Sequence, residues 1–577
     1  MTATYAPLGS TSKLTSTDEE NSALSALENL KQQAFKDWPN QAGFEGLTEQ
    51  RGPIELSIKG HIPPWAAGSL YRTGPGQSQV TNTKSGTFHI SHWFDGLGHT
   101  HRFDIEPDKE TNNPATVRVY YSSRRQSERV AADIKASGTL RSISFAQRSD
   151  PCVGIFGKFM TAFKRRSGSP DVAVTVSANI PLPSSKTPNI ILGTDAAVMC
   201  ELDPRTLEPI RFPAQSVFHP DLKGPMSAAH PEIDPTMGDY INFNLDLGKQ
   251  PVYRVFQVSG ATGQTSILAT IPCKASYMHS FFATQNHVIL CLPVADYQWS
   301  GLKIPLEGNL LDALKPFDPA EKCRWFVVDR HRGRGVIAQF TSPARFFFHS
   351  VNAFEADDGT GDIVCELVDY PNRHVIDGFY YDVLLDREGK AAEFWTDEQT
   401  ARSASPRLVR YRLPVGNGKA SKSTSSSLPP AVALPDPILE IPAPHVGDLP
   451  TINPNFRFRE HRYVYLIVSR GLSTMFDAIA KVDTKTREVL RWEGPQGHTP
   501  GEAIFIPRPA VEGESVDEDD GVLLSVVLDG GNKMSYLLCL DAPTMTEIGR
   551  AEYWWVWNRG IIATLMTAER YSTFKGT

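Results

Sequence analysis

Residues 202–208 read Leu-Asp-Pro-Arg-Thr-Leu-Glu: the end of one apolar run, a polar reversal and the start of the next run. Residues 482–488 (Val-Asp-Thr-Lys-Thr-Arg-Glu) and 540–547 (Leu-Asp-Ala-Pro-Thr-Met-Thr-Glu) repeat the pattern, and 258–265 is a glycine-rich relative. An aspartate at this position can bond to its own backbone two residues further on, while Thr or Gly completes the reversal. The pattern therefore predicts β-hairpins that recur along the chain.

Short β-rich runs separate these turns, and few stretches keep a helical period for three turns. The clearest runs are 68–71, 117–121, 252–258, 288–292, 325–328, 463–468 and 522–527. An all-β chain with repeated hairpins over more than 500 residues favours a β-propeller, because radial repetition protects the strand edges. Two or three separate β-sandwiches are the alternative.

Composition excludes several classes of protein. The 577 residues are 40% hydrophobic and 21% charged, which is typical of a globular protein rather than a disordered or collagen-like chain. The net charge of −7 disfavours a nucleic-acid partner. Seven cysteines without a CxxC pair argue against a disulfide framework and a thiolate metal site, and fit a reducing compartment.

The ends and one internal segment differ from the β-rich body. Residues 1–45 are polar and are predicted to be a mobile arm with one helix around Asn21–Phe35, followed by one domain over residues 46–577. The low-complexity stretch at about 416–430 is interpreted as a loop insertion. The N-terminus lacks the apolar core of a signal peptide, and no run of about 18 apolar residues follows, so we expect a cytoplasmic protein.

An apolar segment next to a basic cluster is the candidate membrane contact. Its apolar residues have helical spacing and precede three consecutive basic residues at 164–166. They are Val153, Phe156, Phe159, Met160 and Phe163. Such a face suits peripheral insertion into a bilayer interface, although a helix packed on the protein's own core has the same periodicity.

Three of the fifteen histidines lie at or next to apolar runs, at His230, His279 and His349. A buried imidazole is costly unless both ring nitrogens are satisfied, and a metal ion satisfies one of them. A hydrogen-bonded core histidine is the alternative for each one. Because no cysteine lies near them, a shared site would suit iron, copper or catalytic zinc rather than structural zinc.

Several strings that include these histidines are similar to those of one family. They are GHIPPWAAGSLYRTGPG at 60–76, HWFDG at 92–96, DPC at 150–152, SYMHSF at 276–281, HSVNAFE at 349–355, DLPTINP at 448–454 and GEAIFIP at 501–507. Over roughly residues 50–550 the chain resembles the carotenoid cleavage oxygenases. The resemblance implies a seven-bladed β-propeller in which short helices and loops cap an axial Fe(II) held by four histidines. It also implies O₂-dependent cleavage of a conjugated double bond into two carbonyl products.

The resemblance assigns His230, His279 and His349 to three of the four iron ligands, and it names no catalytic residue beyond the ligands. It assigns the acidic partners of the ligand imidazoles to Asp195, Asp448 and Glu502. Such partners orient a ligand and raise its basicity. Glu440 is an alternative to Asp448.

The chain departs from the family pattern at its end. The resemblance implies a fourth histidine in a Gly-Phe-His-Gly-type string, but no histidine follows His498, and Arg559 stands near the expected place. A guanidinium cannot bind Fe(II) and would repel it. We therefore expect a three-histidine site with weaker iron binding and reduced or absent activity. Genuine divergence or a shifted reading frame would each account for the atypical tail at 553–577.

Within the family, the strings at 156–163, 193–197 and 448–456 resemble those of fungal enzymes that cleave carotenes such as torulene. The resemblance thus implies a carotenoid substrate and O₂, and the apolar segment 153–163 favours the carotenoid because a long polyene would enter the enzyme from a membrane. A stilbene-cleaving oxygenase is one alternative. A carotenoid-binding propeller without turnover is the other, and the absent fourth histidine supports it.

Overall fold

A computed structural model describes most of the chain, and β-strands make up most of its regular structure. The described ranges are residues 5–44, 47–109, 116–148, 174–185, 188–416, 428–510 and 516–552. Within these ranges the strands form six sheets of four or more strands and one two-stranded hairpin, Gln79–Thr83 with Gly86–His89. The prediction of an all-β chain is confirmed as a mostly β-sheet protein.

Five of the sheets are built mainly from strands consecutive in sequence, and we number them in chain order. Sheet 1 contains Thr175–Ala178, Ile190–Gly193, Cys200–Leu202 and Pro209–Arg211. Sheet 2 contains Glu232–Ile233, Tyr240–Asp246, Val252–Val258 and Thr265–Pro272. Sheet 3 contains Phe282–Ala283, His287–Leu292, Lys322–Asp329, Val336–Pro343 and Ala431–Ala433. Sheet 4 contains Phe346–Glu355, Ile363–Tyr370, Arg407–Leu413 and Leu439–Pro442. Sheet 5 contains Asp448–Thr451, Tyr463–Val468, Ala478–Asp483, Val489–Glu493 and Ser10–Leu14.

Sheet 6 has nine strands, which come from residues 54–125 and 498–552. Its spatial order is His498–Pro500, Gly521–Asp529, Met534–Asp541, Thr546–Glu552, Ile54–Gly60, Val117–Arg125, Leu97–Pro107 and Gly68–Gln77, with Ile504–Pro507 paired to Gly521–Asp529. The junction is the antiparallel pair of Ile54–Gly60 with Thr546–Glu552. Sheet 6 therefore ties an early strand to the last described one.

Helices are short in the described part of the chain. The α-helices are Glu19–Lys31, Glu128–Ser137, Ile304–Glu307, His374–Asp377, Tyr381–Leu384, Lys390–Trp395 and Glu398–Ser403. The 3₁₀ segments are Ser16–Asp18, Ala34–Asp37, Gln41–Gly43, Pro64–Ala66, Trp93–Asp95, Gln215–Val217, Gln298–Gly301, Arg387–Gly389 and Pro454–Phe456. None of these helices is long and apolar enough to cross a bilayer.

The aspartates of the predicted hairpin turns accept hydrogen bonds from the turn itself. Asp203 Oδ1 accepts from the backbone N–H of Arg205, at 2.9 Å, and of Thr206, at 2.7 Å. These bonds hold the pKa of Asp203 below its usual value. Asp483 makes the equivalent bonds in sheet 5, and the Asp541 carboxylate accepts from Thr544. Local sequence is sufficient for these turns because their donors lie only two or three residues away.

Part of the segment predicted as a mobile arm over residues 1–45 pairs with sheet 5. Ser10–Leu14 pairs antiparallel with Val489–Glu493, and the helix Glu19–Lys31 follows it. Arg487 binds the carboxylate of Glu19 at 2.7 Å. Composition does not reveal this pairing, because the polar residues of an edge strand are held by backbone hydrogen bonds.

The segment around 416–430 links two sheets at its described ends. Arg407–Leu413, before it, belongs to sheet 4, while Ala431–Ala433, after it, adds a parallel strand to sheet 3. The chain then returns to sheet 4 with Leu439–Pro442. Residues 417–427 lie outside the described ranges, as do the apolar segment 153–163 and the tail 553–577.

Buried apolar side chains fill the space between neighbouring sheets. The largest cluster takes residues from sheets 2 to 5, such as Ile241, Phe326, Val368 and Val464. Because this one cluster contains side chains from four sheets, its burial fixes the positions of those sheets relative to one another. The first strands of sheets 2, 3 and 4 are thereby held side by side, and the candidate site is built there.

Candidate metal centre

The three histidines singled out in the sequence lie at equivalent places in three consecutive sheets. His230 precedes the first strand of sheet 2, and His279 precedes the first strand of sheet 3. His349 lies within the first strand of sheet 4, where the pairing with the next strand is irregular. Such an irregularity redirects side chains and often lies next to functional sites.

The structure brings these three imidazoles together. One ring nitrogen from each lies within 4.8 Å of the others. The Nε2 atoms of His230 and His279 are 3.1 Å apart, and the rings of His230 and His349 have centroids 5.0 Å apart. His349 Nε2 is buried and has no hydrogen-bond partner among the described residues. A buried nitrogen lone pair without a donor is the feature that a metal ion would satisfy.

Asp195 fixes the orientation of His279. His279 Nδ1 lies 2.8 Å from Asp195 Oδ1 and 3.0 Å from Oδ2. Since an ionised carboxylate only accepts, Nδ1 carries the proton and Nε2 presents its lone pair to the other histidines. The Tyr277 hydroxyl donates to Asp195 Oδ2 at 2.9 Å.

Asp448 makes the same arrangement with His349. His349 Nδ1 lies 2.7 Å from Asp448 Oδ1, and the Tyr370 hydroxyl donates to Oδ2 at 2.6 Å. The backbone N–H of Leu449 also donates to Oδ1, at 2.7 Å, from a residue in the left-handed region at φ 51°. Strain of this kind persists where the surrounding structure fixes the backbone, often at functional sites.

The glycine before Asp448 is required by packing. A Cβ at Gly447 would lie 1.8 Å from the carbonyl oxygen of Ile467 in the neighbouring strand. The close approach of these two strands therefore needs glycine, and it places Asp448 deep in the site, where it is 4% exposed.

Burial and nearby charges shift the pKa values of the groups that surround His279 and His349. Burial, together with the adjacent carboxylates, raises the pKa of Tyr277 and Tyr370 well above the usual value, so both hydroxyls keep their protons. Burial alone would raise the pKa of Asp448, but His349 and Tyr370 hold it below the usual value. Both partners thus favour an ionised Asp448.

The other acidic residues named from the sequence have different surroundings. Glu440 forms an ion pair with Arg407 at 2.6 Å, so Asp448, and not Glu440, is the partner of His349. Glu502 is buried, and its backbone carbonyl accepts from Arg72 Nη1 at 2.7 Å. The place expected for the fourth histidine, near Arg559, lies outside the described residues.

Aromatic rings line one side of the histidine cluster. The Phe348 ring lies 5.7 Å from that of His279 and 5.5 Å from that of Phe94. Phe94 in turn packs on Phe145, at 4.9 Å, and on Phe379, at 5.4 Å. This apolar wall would exclude water from a metal ion and its substrate.

Phe282, three residues after His279, packs away from the histidine cluster. Its ring stacks on Trp325 at 6.0 Å within the separate core of sheets 3 and 4. The sequence reasoning missed Tyr277 and Tyr370. Tyr277 stands two residues before His279 inside a string that was already recognised, whereas Tyr370 lies on another strand and carries no local signal.

Comparison with known proteins places the chain in a family. The sequence profile described as RPE65, retinal pigment epithelial membrane protein, matches residues 43–555. A carotenoid dioxygenase of Neurospora crassa is 46% identical over 95% of this chain and 94% of its own. The chain belongs to the RPE65/carotenoid oxygenase family.

Other members are more distant in sequence but cover the chain almost as fully. A torulene dioxygenase of Gibberella fujikuroi is 45% identical over 92% of this chain and 94% of its own. The beta,beta-carotene 15,15'-dioxygenase of Gallus gallus is 28% identical over 87% of this chain and 93% of its own.

Solved structures of the family share the fold. A variant of the Synechocystis apocarotenoid oxygenase superposes with a TM-score of 0.67 at 20% identity, covering 92% of this chain and 98% of that one. A cobalt-substituted form of the same enzyme gives 0.65, again at 20% identity, over 92% and 98%. The mostly β-sheet architecture is therefore the one found in these oxygenases, which are β-propellers.

Proposed function

We propose that the protein is a non-haem Fe(II)-dependent dioxygenase that cleaves a conjugated double bond of a torulene-like carotenoid to apocarotenal aldehydes. The observation that carries the proposal is the convergence of three imidazoles, one with a buried and unpartnered Nε2, in a chain 45–46% identical to a torulene and a carotenoid dioxygenase. An all-histidine donor set in which carboxylates hold Nδ1 of two rings, those of His279 and His349, fits iron.

In this proposal His230, His279 and His349 hold the ion. When bound, Fe(II) supplies the redox chemistry for O₂-dependent cleavage. Asp195 and Asp448 keep the protons of His279 and His349 on Nδ1, so that both Nε2 atoms face the ion. Glu502 is the third acidic partner proposed from the family pattern.

The aromatic wall is proposed to orient the polyene. Phe348 contacts His279, and Phe94 and Phe145 extend the apolar surface from it, which suits a conjugated hydrocarbon better than a polar substrate. The smaller and more polar stilbenes are the alternative substrate class, and competition between the two distinguishes them.

We extend the proposal to the architecture. Counting sheet 6 as two blades divided at the pair of Ile54–Gly60 with Thr546–Glu552 gives seven blades with sheets 1 to 5. Phe379, which follows the helix His374–Asp377, packs against Phe94 and Phe348, and this supports a cap over the axis that includes the helices between 374 and 403.

Peripheral membrane association through Val153, Phe156, Phe159, Met160 and Phe163 remains part of the proposal, with the protein on the cytoplasmic side. A long polyene partitions into the bilayer and would enter the enzyme from there. Flotation with liposomes, comparing the wild type with a variant carrying polar residues at the phenylalanines, measures this association.

The decisive experiment combines metal analysis with product analysis. About one equivalent of iron in the purified protein, together with aldehydes from torulene, and in smaller amount from β-carotene, by chromatography, would support the dioxygenase. Because no histidine follows His498 in the sequence, a carotenoid-binding protein without turnover is the second candidate. Bound carotenoid with neither iron nor aldehyde would favour the binder and overturn the dioxygenase.

A further inference from the structure

We propose that Tyr277 and Tyr370 are positioning residues of the metal centre, each locking the carboxylate that orients a metal-facing imidazole. The inference rests on the proposed function because it concerns the same centre. Tyr370 reaches the clustered imidazoles through Asp448. Tyr277 reaches them through Asp195, and its hydroxyl also lies 3.2 Å from His279 Nδ1.

The argument begins with the freedom of an aspartate side chain. A carboxylate that accepts one hydrogen bond can still rotate about its terminal torsion, which is broad for this residue type. A second donor on the other oxygen removes this rotation. On Asp448, Oδ1 accepts from His349 Nδ1 and from the backbone N–H of Leu449, both at 2.7 Å, and Oδ2 accepts from the Tyr370 hydroxyl at 2.6 Å, so both oxygens are fixed.

Whereas Oδ2 of Asp448 contacts only the Tyr370 hydroxyl among the described residues, each oxygen of Asp195 has two contacts. Both of its oxygens lie within 3.0 Å of His279 Nδ1, and the backbone N–H of Ala229 donates to Oδ1 at 3.3 Å. The Tyr277 hydroxyl adds a bond to Oδ2 at 2.9 Å. Loss of Tyr277 should therefore disturb the site less than loss of Tyr370.

The two arms reach the same geometry by different routes. Tyr277 comes from the loop of its own histidine, two residues earlier, whereas Tyr370 comes from the second strand of sheet 4, opposite Phe346. Packing alone requires an aromatic ring at each place but not a hydroxyl that points to a carboxylate. The repeated hydroxyl-to-carboxylate bond indicates a role in holding the aspartates.

The test measures metal affinity in the full-length protein. Fe(II) and Co(II) affinities are obtained by chelator competition for the wild type, Tyr370→Phe and Tyr277→Phe. Removal of a direct partner of a ligand typically costs about 10–100-fold in affinity, so a residue one step further should cost about 3–10-fold at Tyr370 and less at Tyr277. Affinities equal to the wild type for both variants would overturn the proposal.

Tyr71→Phe is the matched control. Tyr71 is also buried, and its hydroxyl donates to the carbonyl oxygen of Pro204 at 2.9 Å, away from the histidines. We expect this variant to lose thermal stability to a similar degree but to keep its metal affinity. The visible spectrum of the Co(II)-loaded protein should change in Tyr370→Phe and stay unchanged in Tyr71→Phe.

A double-mutant cycle tests whether Tyr370 acts through Asp448. If it does, Tyr370→Phe should add little to the loss of affinity already caused by Asp448→Asn. Fully additive losses would contradict action through the carboxylate. Failure of the proposed function would give a different result. A wild type that binds neither metal would overturn both proposals. A wild type that binds metal, with both tyrosine variants unaffected, would overturn only this one.

Discussion

The hairpin turns and the histidine centre are built from the same kinds of side chain but over very different distances along the chain. At the turns, Asp203 bonds to residues two and three positions away. At the centre, Asp195 and His279 are 84 positions apart, and His349 and Asp448 are 99 apart. The turns are local, and the centre joins different sheets.

This difference shows which parts of the molecule depend on complete folding. A local turn can form with its own hairpin, so damage there should lower stability without changing the site. The centre exists only when several sheets pack together, so a change there should alter metal binding more than stability. The following predictions test this separation.

The largest effect is expected for His279→Ala. It removes one of the three imidazoles, and we expect iron affinity to fall on the order of 1,000-fold or below detection. Iron content by elemental analysis measures it. His287→Ala is the control, because His287 contacts Glu355 at 3.1 Å instead of the cluster, and it should keep its iron. Equal loss in both variants would contradict the assignment.

A smaller effect is expected for the acidic partners. Asp448→Asn replaces an obligate acceptor facing His349 Nδ1, and we expect about a 10–100-fold lower iron affinity. Chelator competition measures the change. Glu440→Gln serves as the control, since Glu440 pairs with Arg407, and its affinity should match the wild type.

At a turn, Asp483→Asn should act on stability alone. Asp483 accepts from Arg462 and from two backbone amides of its own hairpin. We expect a loss of about 1–2 kcal/mol in the free energy of unfolding, measured with denaturant, and an unchanged iron affinity. A large loss of iron would show that turns and centre are coupled.

The smallest effect is expected for the pH dependence of the stability difference between the wild type and Asp483→Asn. Burial raises the pKa of Asp483, but Arg462 and the turn amides outweigh it and lower the value to about 2. Since the folded pKa is below the unfolded one of about 3.9, the stabilisation is present above pH 4 and is lost as the pH falls towards 2. In thermal melts, the difference in melting temperature between the wild type and Asp483→Asn should become smaller as the pH falls over this range.

Much of the fold was predictable, but some elements were not. Strand runs and Asp-Thr turns follow from residues close in sequence, and the structure has them. The edge strand Ser10–Leu14 was missed, because its stability comes from backbone pairing with Val489–Glu493 and its side chains are polar.

The candidate site, too, was only partly predictable from the sequence. The histidine strings were visible in the sequence, as was the Asp195 string, but the choice of Asp448 over Glu440 needed coordinates. Tyr370 could not have been found, because nothing near it in the sequence relates it to His349.

The sequence by itself determined the β-rich character, the turn chemistry and the residue types available for a metal. Only the tertiary structure decided that His230, His279 and His349 meet and that Tyr277 and Tyr370 stand behind their carboxylates. The physical reason is that turns depend on contacts within a few residues, whereas a shared ion site depends on how the first strands of separate sheets are packed side by side.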